Sequence, residues 1–162
     1  MKTALDAGSE KFLENTPSGA ILAPMPHRRV LVVDDEPRIL EIVKYFLEQG
    51  GYDVEPVTNG DKALAAARRK PFDLAVLDIV LVGDSGYEVA GKLKKVKGAE
   101  SLPVLFMSSK VEMADLFLES FDGRAEFLLK PFKKEALLET VKSLLDGGGR
   151  EAHRSAARAK KK

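Results

Sequence analysis

Val30-Leu31-Val32-Val33-Asp34-Asp35-Glu36-Pro37 (VLVVDDEP) carries four apolar, mostly β-branched residues straight into three acids. An unbroken apolar run of this kind is the pattern of a strand buried on both faces, as in a parallel sheet. Pro37 suits the first position of a helix, where a missing N–H costs nothing. The acids between them repel one another and are expensive to desolvate. They are tolerable as helix caps, in open water, or around a metal cation.

The same strand-then-helix pattern repeats along the chain. Ile39, Ile42, Val43, Phe46 and Leu47 make a helical stripe that Gly50-Gly51 ends. Tyr52–Val57 reads as a weaker strand, and its Pro56 confines it to a sheet edge, since proline cannot donate to a ladder. Asn59-Gly60 turns into an Ala-rich helix over Asp61–Lys70, and Phe72–Leu77 is a second buried strand. A glycine-rich loop runs to Gly86, before a helix over Tyr87–Lys97 with Val89, Ala90, Leu93 and Val96 on its inner face. Pro103–Met107 is a strand, Val111–Phe121 a helix, Glu126–Leu129 a strand, and Lys133–Leu145 a helix. Five β-then-α units predict an α/β fold, a parallel sheet with helices on both faces.

This domain spans 28–146 and is flanked by two segments of different composition. Residues 1–27 are read as a flexible leader and 147–162 as a glycine hinge followed by a basic flexible tail. From Arg150 to Lys162 the tail has six Lys/Arg and one Glu, so weak contact with nucleic acid or another anion is expected only there. His27 and His153 fall in these flanks and carry no assigned role. The chain of 162 residues has 26 basic and 25 acidic residues, a net charge of +1, and hence no global field toward nucleic acid or membrane. No apolar run approaches the roughly 20 residues of a bilayer span. Absent cysteine excludes disulfides and thiolate metal sites, and with no signal-peptide pattern the expected location is cytoplasmic.

In sheets of this type, ligands gather beyond the carboxyl ends of the strands. Those positions hold Asp34 and Asp35, then Asp78, then Ser108 and Ser109, then Lys130. Clustered carboxylates make a hard-oxygen site for Mg²⁺. A carboxylate can also attack a phosphoryl group, with a lysine, a hydroxyl and a divalent cation neutralising the transferred oxygens.

Taken together, VLVVDDEP, LAVLD, LPVLFMSS and LLKPF resemble the signature segments of the response-regulator receiver domain, of the CheY-like kind. The resemblance covers about residues 28–146 and implies a five-stranded flavodoxin-like sheet of order 2-1-3-4-5. It implies that Asp78 accepts a phosphoryl group from a sensor histidine kinase, a phosphotransfer protein or a small phosphodonor. Asp35 and Asp78 would then ligate Mg²⁺ directly, with the main-chain carbonyl of Val80, and Asp34 through water. Lys130 would hold a phosphoryl oxygen, and Ser108, with Ser109 as a rival, would supply the hydroxyl that moves onto it. Phe127 would be the switch aromatic, and the Lys130–Pro131 bond would be cis. The expected readout is a downstream protein binding the fourth helix, fifth strand and fifth helix. The expected protein is a stand-alone response regulator that turns over nothing beyond its own phosphorylation and dephosphorylation.

Some residues depart from the pattern. Val82 replaces a usual proline and Ser85 a usual acid, Arg124 replaces a usual alanine, and Val80 offers no polar group to orient an attacking water. Slow self-dephosphorylation is expected from the last. One rival reading is a pseudo-receiver that binds proteins as a scaffold without phosphorylation. Another is an aspartyl phosphatase, disfavoured because its chemistry wants Asp-x-Asp after the first strand.

Overall fold

The structure is a computed structural model that describes residues 27–110 and 124–147. Residues 1–26, the expected helix 111–121 with Met113, Leu116 and Phe117, and residues 148–162 lie outside the described residues.

The main sheet is built from β1 (Arg29–Val33), β2 (Asp53–Val57), β3 (Leu74–Asp78), β4 (Val104–Ser108) and β5 (Ala125–Leu129). Its order is β2-β1-β3-β4-β5, and every pair is parallel. The described helices are α1 (Pro37–Gln49), α2 (Gly60–Arg69), α3 (Gly86–Leu93) and α4 (Lys134–Leu145). The flavodoxin-like order expected from the sequence is the order observed.

Alternation along the strands divides the core in two, because successive side chains point to opposite faces. Leu31, Val33, Ala75, Leu77, Val104 and Phe106 face α2 and α3. Val30, Val32, Leu74, Val76, Leu105 and Met107 face α1 and α4. All of these are fully buried, each Leu, Val or Phe contributing about 1.5–3 kcal/mol of transfer free energy. The unbroken apolar runs of β1, β3 and β4 are thus accounted for by helices on both sides. Among the described residues β2 pairs only with β1, so the ring of Pro56 interrupts no second ladder there.

Two details differ from the expected elements. The third helix ends at Leu93 instead of Lys97. There the N–H groups of Lys95 and Val96 bond the carbonyls of Lys92 and Leu93, three residues back, and Gly98 at φ +90° completes the turn. Val96 still packs on the core, so its burial produced the helical signal without helical backbone. The loop after β3 also contains an unexpected antiparallel ribbon, Val80–Leu81 against Asp84–Ser85. Gly83 at φ +78° makes its turn.

Candidate functional site

The acids after β1 are placed by different backbone donors. Asp34 is wholly buried, and its Oδ1 accepts the Glu36 N–H at 2.9 Å as the chain turns into α1. Its own N–H reaches Val57 O at 3.3 Å, fixing the end of β1 against β2. Asp35 is half-buried and turns the other way, its Oδ2 accepting the Val82 N–H of the ribbon at 2.9 Å. Asp78 ends β3 with 8% exposure, and its Oδ1 accepts the Val80 N–H at 3.2 Å. One carboxylate oxygen from each of Asp34, Asp35 and Asp78 lies within 4.8 Å of the others.

Lys130 follows β5 and reaches back across the rim. Its Nζ donates to Asp34 Oδ2 at 2.9 Å and to Asp78 Oδ2 at 3.3 Å. Its own N–H donates to Ser108 O at 2.9 Å, which continues the β4–β5 pairing to the rim. The bond to Pro131 is cis.

The electrostatics follow from this packing. Burial pushes the Asp78 carboxyl above its ordinary range; Lys130 opposes the shift and Asp34 reinforces it. For Lys130, burial works against the charge, yet the bonds and fields of Asp34 and Asp78 outweigh it and hold the ammonium above its usual value. Asp34 and Asp78 therefore share the Lys130 ammonium, Asp35 adds a third carboxylate that pairs with no cation among the described residues, and burial still favours a proton on Asp78. A cluster of hard oxygens short of positive charge fits a small divalent cation such as Mg²⁺.

Ser108 is buried at the end of β4, and its Oγ accepts the Lys110 N–H at 3.0 Å. Ser109 is exposed and lines an apolar cavity of about 320 Å³ with Ile39, Ile42, Val43 and Pro131. Phe127 lies away from the acids, half-buried against the core that contains Phe106. Val80 is 51% exposed and Val82 84% exposed, apolar side chains beside a charged pocket. Arg124 is exposed at the foot of β5.

In the sequence Gly86 ends the loop after Asp78 and keeps the family's pattern there, with no role in the site assigned to it, but it helps build the site. Its N–H donates to Ile79 O at 2.8 Å. A Cβ there would press into the Asp78 carbonyl oxygen and come within 2.9 Å of Ile79 Cα. Only glycine lets α3 begin against the backbone of Asp78. A lone glycine in a glycine-rich loop gives no sign of this, since the contact is made across the fold.

Comparison with known proteins agrees with this arrangement. A family model for the response regulator receiver domain matches residues 30–142. Protein PilH of Pseudomonas aeruginosa is 31% identical over 119 residues, covering 74% of this chain and 98% of PilH. The DNA-binding dual master transcriptional regulator RpaA of Synechocystis is 35% identical over 118 residues, 72% of this chain and 48% of RpaA. The chain thus spans about half the length of RpaA and of similar curated regulators. Among solved structures, the response regulator TrrA of Thermotoga maritima, in complex with Mg²⁺-BeF, superposes with a TM-score of 0.64 at 35% identity. That match covers 72% of this chain and 98% of TrrA.

Proposed function

Because the chain belongs to the response regulator receiver family, we propose that it accepts a phosphoryl group on Asp78 with Mg²⁺ and signals by a change in partner binding. The observation that carries this reading is the Lys130 ammonium bridging Asp34 and Asp78, with an Asp35 oxygen in the same cluster. An inert scaffold on this fold has no use for three acids and one lysine drawn together at the cost of their hydration. The Mg²⁺-BeF complex of the related TrrA adds support.

Each residue has a definite task in this proposal. A carboxylate oxygen of Asp78 attacks phosphorus, and the bond to the donor's nitrogen or oxygen breaks with its electron pair leaving on the donor. Asp35, Asp78 and the Val80 carbonyl would hold Mg²⁺ directly and Asp34 through water, and the bound ion would offset negative charge on the phosphoryl oxygens. Lys130, already within reach of Asp78, exchanges a carboxylate contact for a phosphoryl oxygen. Ser108 turns its hydroxyl from the Lys110 N–H toward the new acceptors, which add about −1.5 to −2 of charge. The space left behind lets Phe127 repack, and the altered surface around β5 and α4 is read by a protein partner. The phosphoryl source is a histidine kinase or phosphotransfer protein, and the chain turns over no other substrate. Val80 presents no polar atom from its side chain, so the acyl phosphate persists for minutes or longer in purified protein; a lifetime of seconds contradicts this.

Intact-mass measurement after acetyl phosphate and Mg²⁺ tests the proposal. One phosphoryl group should add to the native chain, and none to Asp78→Asn or to the native chain in EDTA. No addition to the native chain, with no response to beryllofluoride, would return the protein to the scaffold reading.

A further inference from the structure

At the opposite end of the sheet from the acids lies a cleft of about 650 Å³ between the ends of α2 and α3. Arg68, Arg69, Lys70, Lys92, Lys95 and Lys97 surround it. Its interior is apolar, lined by Ala67, Phe72, Val96 and Leu102, which pack on the core. Lysine and arginine often occupy the last turn of a helix, where they balance the helix dipole. That explains Arg68, Arg69 and Lys92, which occupy last turns. Arg69 and Lys92 are in addition paired with Glu55 and Asp84. It does not explain Lys95 and Lys97, which lie past the end of α3. Among the described residues, Arg68, Lys70, Lys95 and Lys97 form no ion pair.

We infer that this cleft binds a nucleotide, its phosphates on the unpaired cations and its base against the apolar interior beside Phe72. The volume of about 650 Å³ lies within the range of small-ligand pockets. A recessed apolar interior is also poorly placed to meet a flat membrane. Guanidinium groups suit phosphate oxygens, and lysines add mobile charge. One face of Phe72 is already covered by the Arg29 guanidinium at 4.3 Å, which also donates to Pro71 O at 3.2 Å and steadies this wall. The site shares no residue with the acid cluster and stands or falls independently of phosphorylation at Asp78.

Titration of the isotope-labelled full chain with ADP, in EDTA and followed by amide NMR, tests the inference. Shifts are expected at residues 67–72 and 92–102, with Asp34, Asp78 and Lys130 unmoved. ADP should bind at least about tenfold more tightly than adenosine or pyrophosphate, a gap of ~1.4 kcal/mol. Lys95→Glu combined with Lys97→Glu should abolish the shifts while leaving the amides of the acid cluster in place. Equal binding of pyrophosphate and ADP would mean that the cleft reads charge alone, and would overturn the inference. So would an absence of ADP shifts, whether or not anionic lipid vesicles or an acidic peptide move the same amides.

Discussion

At the scale of single residues, the chemistry is concentrated in two side chains. Asp78 is held above its ordinary pKa by burial, so the folded state binds its proton more tightly than the unfolded chain does. Its contribution to stability is therefore greatest below the unfolded pKa and is lost as pH rises through the folded value. In EDTA at neutral pH, Asp78→Asn should be more stable than the native chain in urea denaturation, and the difference should vanish toward acid. Mg²⁺ affinity, followed by calorimetry, should fall as pH is lowered through that same raised value. Lys130 is the counter-case. Lys130→Met leaves the wholly buried Asp34 without its ammonium, at a cost of about 3 kcal/mol in EDTA. Added Mg²⁺ should recover part of this loss, because another cation then faces the acids; an unchanged urea midpoint in EDTA would contradict the assignment.

At the scale of elements, what positions the site is the way each helix or turn begins. α1 starts without a side-chain cap from Glu36; Asp34 instead takes the Glu36 N–H. α3 is capped by Ser85, which accepts the Glu88 N–H at 3.2 Å, and its first residue is Gly86. Two substitutions in that helix should have opposite signs. Gly86→Ala places a methyl against the Asp78 backbone and should cost about 1–3 kcal/mol by urea denaturation. Gly91→Ala meets nothing within 4 Å and should stabilise by up to about 1 kcal/mol, the helix-propensity difference. If the two behave alike, the close approach at Gly86 is not what requires glycine. The stripes of α1 and α4 were legible because a long apolar face repeats several times, and α2 was legible from its alanine-rich run after Asn59-Gly60. The early end of α3 was not, because Val96 is packed on the core by a turn and gives the same period as a helix.

At the scale of the molecule, the sheet joins the acid cluster to a distant surface. Asp78 pairs with Met107, Phe106 with Phe127, and Ser108 with Leu129. In the proposed switch, a movement at Ser108 would pass through this pairing to the strand that carries Phe127, since close-packed side chains change arrangement in steps instead of bending smoothly. Beryllofluoride with Mg²⁺ should shift the NMR signals of the Phe127 ring and of the β5 amides as well as those of the acid cluster. Shifts confined to Asp34, Asp35 and Asp78, with Phe127 unmoved, would sink this route while leaving phosphorylation intact. No helix among the described residues is long and apolar enough to cross a membrane, and two covered sheet faces leave the apolar core enclosed.

Local pattern was enough to determine the five strands of the main sheet, most described helix boundaries, the edge position of β2 and the residues at the strand ends. Apolar period and proline geometry are properties of neighbours in the chain, and they survive without knowledge of the fold. Only tertiary structure decided which carboxylate meets which donor: Asp34 faces Lys130 while Asp35 faces Val82, although the two acids are adjacent. It also decided that Gly86 must be glycine and that cations from two helix ends enclose a single cleft. These are distances between groups far apart in sequence, and they are set by the parallel register and the helix crossovers, which no short stretch of chain encodes.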